Sequence, residues 1–380
     1  MLSLLAVSSV LSYASTASAE LKFGGDAGIR ARAQITKDSN SDDVKYQYRV
    51  RLKATAKLEN DYYFKALMQN ENVPGVWTTV SGANDGKGNT YDTERYDLQL
   101  SHFYFGQESE DCHFKVGRIP LDSINNPLMD LALYAVPTPM GGGLYAVDLP
   151  VFTNNFDRFF GFNYGTKVGD GKLEASIYVL DNSATTIDPA IKNHGLLNDG
   201  YALHLSYKVT HDNITLEPQC FIPLRNLQTD IYQRVAPYTF GANVTAPVSS
   251  ATVSLGGYYT VAKNSDGQIS NPGTLTDRTT WATAPASIDY TAYLLRLKAV
   301  SGPAMAWIDY NHTADKTAGN AGNYNNTFIW AEYTIKLNET REGANVKLVP
   351  TIRYRASSKE TTGTVDNNQF RAELYTTVNF

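Results

Sequence analysis

Cysteine is nearly missing from this 380-residue chain: Cys112 and Cys220 are the only two, too few for a disulfide framework. They fall on well-separated stretches, so free thiols are expected. Histidine is scarce too, and the six, at positions 102, 113, 194, 204, 211 and 312, form no pairing with a nucleophile. No GxSxG, HExxH or zinc-ligand spacing occurs, so the sequence offers no catalytic residue, metal site or cofactor. The run Gly82-Ala83-Asn84-Asp85-Gly86-Lys87 is one residue short of a phosphate loop and lacks the following Ser or Thr, and it reads as turn chemistry. A cationic excess is also missing. The formal net charge of -5 and a pI near 5.7 argue against nucleic acid as a partner. Beyond the N-terminus nothing approaches the roughly 18 consecutive apolar residues of a transmembrane helix. That absence leaves strands as a way across a membrane, because a barrel interleaves its apolar residues with polar ones.

What is present begins with residues 1–19. An apolar run, 2–11, leads to small residues and an Ala17-Ser18-Ala19 pattern, the features of a cleaved export signal. No Lys or Arg precedes the run, and a buried N-terminal helix is the alternative. The mature chain, 20–380, would begin at Glu20. Export without a later helical anchor leads to the periplasm, the outer membrane or the medium.

The stretch 44–59, VKYQYRVRLKATAKLE, sorts by alternate positions into two chemical classes. Val44, Tyr46, Tyr48, Val50, Leu52, Ala54, Ala56 and Leu58 form one row, and Lys45, Gln47, Arg49, Arg51, Lys53, Thr55, Lys57 and Glu59 form the other. A period of two places one row against apolar material and the other against water. Strands of soluble domains usually run roughly five or six residues, and this alternation continues much further. A tilted membrane strand needs about nine to eleven residues, with excess length projecting past the bilayer. The alternative is an amphipathic strand of a large soluble sandwich.

The same pattern repeats along the chain. Short turns are expected at Asn60-Asp61, Ser109-Glu110-Asp111, Asp170-Gly171, His211-Asp212-Asn213, 247–250, Ser301-Gly302-Pro303 and 338–344. Longer polar connections at 37–43, 70–93, 120–155, 181–200, 225–236, 263–287, 313–326 and 357–368 alternate with them. Short turns on one rim and long loops on the other are the habit of outer-membrane barrels. Over 94–106 the outward row is expected to be Tyr96, Leu98, Leu100, His102 and Tyr104. The count comes to about sixteen strands, an even number that brings both ends to one rim. The expected fold is all-β, a closed antiparallel transmembrane β-barrel.

An exported, all-strand chain ending in Phe380 resembles the general-diffusion porins of Gram-negative outer membranes. The resemblance rests on the terminal aromatic with apolar residues at alternate positions before it, on whole-chain alternation, and on the phrase FKVGRIPL at 114–121. It implies that Phe380 is read by the barrel-assembly machinery and that lipid and lipopolysaccharide surround the protein. It implies a homotrimer, with the 70–93 loop reaching a neighbour. It also implies that the third long loop, 120–155, folds inward as a constriction. Asp122, Asp130 and Asp148 are that loop's candidate acidic groups, although the family's short acidic motif is not reproduced. An outward cap or a subunit contact is the other possibility for this loop.

Cations concentrate on what become four consecutive strands once the barrel closes: Arg30 and Arg32, Arg49, Arg51 and Lys53, Arg353 and Arg355, and Arg371. Like charges so close persist where water and counter-ions screen them. By the resemblance they form a basic lumen wall facing the acidic loop. The implied function is a water-filled channel for passive diffusion of ions and small hydrophilic solutes, with modest anion preference. The alternative for the arginines is contact with lipopolysaccharide or pairing with Glu373 and Glu59. A sugar- or anion-selective porin is the nearest rival, and Trp307 and Trp330 inside the lumen would favour sugars. A barrel enzyme and a secreted carbohydrate-binding β protein, with a calcium loop at 84–92, are more distant ones.

Overall fold

The computed structural model describes residues 20–36, 43–70, 77–80, 83–84, 90–91, 98–121, 126, 128, 158–181, 200–223, 238–264, 288–316, 322–340, 343–360 and 364–380. Residues 1–19, expected to be an export signal, and the aspartates at 122, 130 and 148 lie outside this set.

Sixteen antiparallel strands form the wall. The first eight are β1 (Glu20–Thr36), β2 (Asp43–Lys57), β3 (Tyr62–Gln69), β4 (Gln99–Glu108), β5 (Cys112–Pro120), β6 (Arg158–Val168), β7 (Gly171–Asp181) and β8 (Gly200–His211). The second eight are β9 (Ile214–Pro223), β10 (Tyr238–Val248), β11 (Ala251–Asn264), β12 (Ile288–Ser301), β13 (Ala304–Asp315), β14 (Gly322–Tyr333, resumed as Ile335–Glu339), β15 (Asn345–Glu360) and β16 (Thr364–Asn379). Each pairs with its neighbour in sequence, and β16 pairs with β1 from Asp26↔Asn379 to Thr36↔Gln369. Phe380 completes the seam, exchanging two backbone hydrogen bonds with Gly25 at 2.8 and 3.1 Å. The sheet has no open edge, which removes the unpaired backbone groups that hydrocarbon would not tolerate.

Directly opposed residues of an antiparallel ladder share a face, so the register fixes an inside and an outside. Outside lie Phe23, Ile29, Tyr46, Phe64, Phe160, Phe240, Leu255, Leu297 and Ile352, all exposed. Inside lie Asp26, Arg30, His204, Gln219, Thr260, Asp309 and Asn311, all buried. Phe23 is 64% exposed while Asp309 and Asn311 are wholly buried, the reverse of a water-soluble domain. At about 25 cal/mol per Å² of apolar surface, such an exterior is stable only in lipid. The barrel spans a membrane.

Tight turns follow local chemistry. Asp212 and Asn213 carry the paired positive φ of a two-residue hairpin, and Asn60 and Asp61 carry it within the three-residue connection Glu59–Asp61. Between β6 and β7 the turn sits one residue earlier than expected. Val168 pairs with Gly171, so the turn is Gly169-Asp170, with Gly169 at φ 58°. The 357–368 connection is also shorter than expected. β15 and β16 continue their ladder to Glu360↔Thr364, leaving 361–363 between them.

A third correction concerns β4. Its register slips between Leu67↔His102 and Met68↔Leu100, making Ser101 a bulge residue. One extra residue inverts every side chain beyond it. Leu98 and Leu100 face outward as expected, but past the bulge the outward row is Phe103 and Phe105. His102 and Tyr104 share the inward face of Leu67 and Lys65, with which they pair. Both cysteines are free thiols.

Candidate functional site

The register brings the eight basic residues singled out in the sequence onto one inward arc. On β1 and β2, Asp26 opposes Arg51 and Arg30 opposes Gln47, with Arg49 between. On β1 and β16, Arg30 opposes Tyr375, Arg32 opposes Glu373 and Gln34 opposes Arg371. On β16 and β15, Arg371 opposes Arg353. The alternation of four strands therefore stacks cations at a spacing that isolated strands would never need.

Screening by water is only part of what holds them there. Glu373, its side chain wholly buried, gathers three arginines: Arg32, Arg353 at 2.7 Å and Arg30 at 3.5 Å. The Tyr375 hydroxyl donates to Glu373 at 2.7 Å while accepting from Arg30 at 3.0 Å and Arg353 at 2.6 Å. Asp26 serves the neighbouring pair, Arg51 at 2.7 Å and Lys53 at 3.2 Å. Arg371 donates its Nε to Gln34 at 2.9 Å. Arg49 lies with its guanidinium 4.8 Å from the centre of the Trp77 ring. The alternative pairing with Glu373 thus holds for three arginines, and five of the eight cations pair with Glu373 or Asp26. Glu373 stands on the same alternating row as Arg371. Its role as a hub depends on barrel closure, which no local pattern reveals.

Trp307 and Trp330 also face inward. Their rings stack at 4.7 Å and 11°, with the Arg353 guanidinium 3.5 Å from the Trp330 ring and Arg296 5.2 Å from that of Trp307. Arg296 is held in turn by Asp309 through two 2.6 Å bonds. Trp330 lies between Trp307 and Arg353 on the neighbouring strands. Both of its faces are occupied, which leaves no open platform for a sugar.

The described residues of the third long connection turn inward. Leu128 is completely buried among Phe159, Tyr178, Ala202, Phe221, Tyr258 and Leu294, all on the inward faces of β6 to β12. Asn126 donates to Gln219 at 2.7 Å. Gln219 also meets His204 at 2.9 Å and Tyr258 at 3.2 Å. The described part of 120–155 is therefore inside and not an outward cap. Among the described residues, no cluster of His, Cys, Asp and Glu is suited to hold a metal.

The second long connection also returns to its own barrel. Its described residues 78 and 79 pair with Tyr48 and Gln47 of β2. Trp77 is turned to the interior between Arg30 and Arg49. Sequence reading gave Trp77 no part in the site, because its partners are distant in the chain.

Neither a family model nor a curated protein matches the sequence. Solved structures do. The anion-selective porin from Comamonas acidovorans superposes with a TM-score of 0.54 at 11% identity, over 95% of this chain and 100% of that one. The outer membrane channel DcaP of Acinetobacter baumannii gives 0.52 at 10% identity, over 96% and 99%. OmpT, an outer membrane protein of Vibrio cholerae, in its trimer form gives 0.52 at 11% identity, over 94% and 99%. At these identities the likeness is one of fold: this chain has the sixteen-stranded architecture of outer-membrane porins.

Proposed function

We propose that the protein is an outer-membrane channel through which ions and small hydrophilic solutes diffuse passively, with a modest preference for anions. One observation carries this reading: a closed wall with an apolar exterior and a polar interior gathers eight cations on one inward arc, five of them paired with Glu373 and Asp26. Fixed charge of one sign along a passage sets which ions enter it. The fold shared with an anion-selective porin supports the same preference.

The finer parts of the proposal follow from this. Residues 1–19 direct export and are removed. Phe380 presents the terminal aromatic to the assembly machinery before the seam closes. Asp122, Asp130 and Asp148 form the acidic edge of the inward loop. Three copies associate, as in the trimer form of OmpT, within lipid and lipopolysaccharide. The protein carries no catalytic activity, and its role is conduction.

Purified protein in a planar bilayer under a salt gradient tests the reading. Stepwise conductance with a reversal potential on the anion side is expected. Changing Arg49→Glu and Arg51→Glu together should move that potential toward cations. Absence of any conductance would sink the channel reading, and an unmoved potential would take these two arginines off the conducting surface.

A further inference from the structure

We infer that Trp77 is a specificity-determining clip: it narrows the passage from the second loop, independently of the third, and holds Arg30 and Arg49 back against the wall. The inference rests on the channel reading and adds a second narrowing element to it.

The backbone shows how the clip is made. β3 pairs with β2 as far as Arg51↔Gln69, and the Asn70 amide then donates to the Val50 carbonyl at 3.3 Å. After 71–76 the chain rejoins the same neighbour: Tyr48 pairs with Thr78, Gln47 with Thr79, and the Val80 amide donates to the Tyr46 carbonyl at 3.0 Å. The ladder along β2 is thus interrupted only opposite Arg49. Asn70 bridges the interruption, donating from Nδ2 to Thr78 Oγ1 at 2.9 Å and accepting from the Val50 amide at 2.5 Å. Gln47 Nε2 reaches the Trp77 carbonyl at 3.4 Å. The insertion is pinned at both ends.

The indole occupies the space that this arrangement creates. It is 7% exposed, edge-on to Tyr375 at 5.4 Å and 74°, with the Arg30 and Arg49 guanidinium carbons 4.9 and 4.8 Å from its centre. A cation over an aromatic face is drawn toward it by the ring quadrupole. Arg49 makes no ion pair among the described residues, and its buried Nε has no hydrogen-bond partner. The ring therefore restrains it. Gly28 supplies the room. A Cβ there would lie 2.7 Å from the Trp77 ring tip, 3.2 Å from Thr377 Cγ2 and 3.3 Å from the Thr376 carbonyl. A side chain at 28 would drive the indole off the wall.

Two variants approach the clip from opposite sides. Trp77→Ala deletes the ring, and Gly28→Ala keeps the ring but denies it its seat. Single-channel conductance, reversal potential and the size cut-off for neutral polymers are measured on wild type, both variants and Trp77→Phe. Both disruptive variants should raise conductance and admit larger polymers. Both should also shift the reversal potential further toward anions as Arg30 and Arg49 are released. Trp77→Phe, which keeps an aromatic face beside Arg30 and Arg49, should stay near wild type. Should Trp77→Ala fail to insert, Gly28→Ala gives the same readout. Wild-type values for conductance, cut-off and potential in the disruptive variants would overturn the clip and leave the channel reading intact. A wild type that conducts nothing would overturn the channel reading instead.

Discussion

The arc formed by β15, β16, β1 and β2 and the arc from β6 to β12 present the same face of one sheet to the interior, yet they are finished differently. The first is a lattice of guanidinium groups knotted at Glu373 and Asp26. The second carries a floor of Tyr178, His204, Gln219, Phe221 and Tyr258, where Asn126 and Leu128 of the third loop dock, with Arg296 and Lys298 of β12 buried at its border. Physical cost explains the division. Setting Leu128 on the arginine arc would strip water from charges without replacing it, whereas on the floor it meets apolar rings and Asn126 merely exchanges hydrogen bonds. The described residues of the third loop thus rest on rings and amides and not on the arginines. Where a connection does rest on the arginines, at Trp77, it does so with an aromatic face, the one apolar surface that attracts a cation.

The largest test of this contrast is Glu373→Ala. Three arginines would lose a shared, buried partner, and removing one member of a buried ion pair costs about 3 to 5 kcal/mol. The folded barrel should unfold at lower urea or temperature, read by its shift in gel mobility. An unchanged midpoint would show that the arc is held by hydration and that the two arcs differ less than their contacts imply. Leu128→Ala probes the floor. A buried Leu truncated to Ala loses about 2 to 5 kcal/mol, here from loop docking more than from the wall. Conductance should become noisier and larger with little change in the unfolding midpoint, and a quiet wild-type trace would release the loop from the floor. The smallest effect belongs to Trp330→Leu at the border between the arcs. It forfeits a cation–π contact with Arg353 worth about 0.5 to 2 kcal/mol, detectable as a slight drop in midpoint. A drop as large as that of Glu373→Ala would make the tryptophan stack, and not the carboxylate, the main support of Arg353.

Much of the wall was legible in the chain itself, because a period of two is local. The side chains of 44–59 announce their faces without reference to any partner. The inward placement of Arg30, Arg353 and Arg371 follows from the same parity once the ends are joined. What escaped were features that need a neighbour. The bulge at Ser101 is invisible within 94–106 and appears only when β4 is laid against β3, and it turns His102 and Tyr104 to the inside. The hairpin between β15 and β16 runs on through polar residues that composition alone assigns to a loop. Trp77 owes its importance to a broken ladder, while Glu373, already a candidate partner of the arginines, becomes their hub through groups hundreds of residues away.

The bond between Gly25 and Phe380 has a consequence for biogenesis. β1 finds the mate for its second edge only in β16, so a product lacking β16 would keep two raw margins. Such margins invite pairing with other chains, and joining positions this remote in sequence is slow. Until β16 is in place, the polypeptide is an unfinished ribbon that must be escorted.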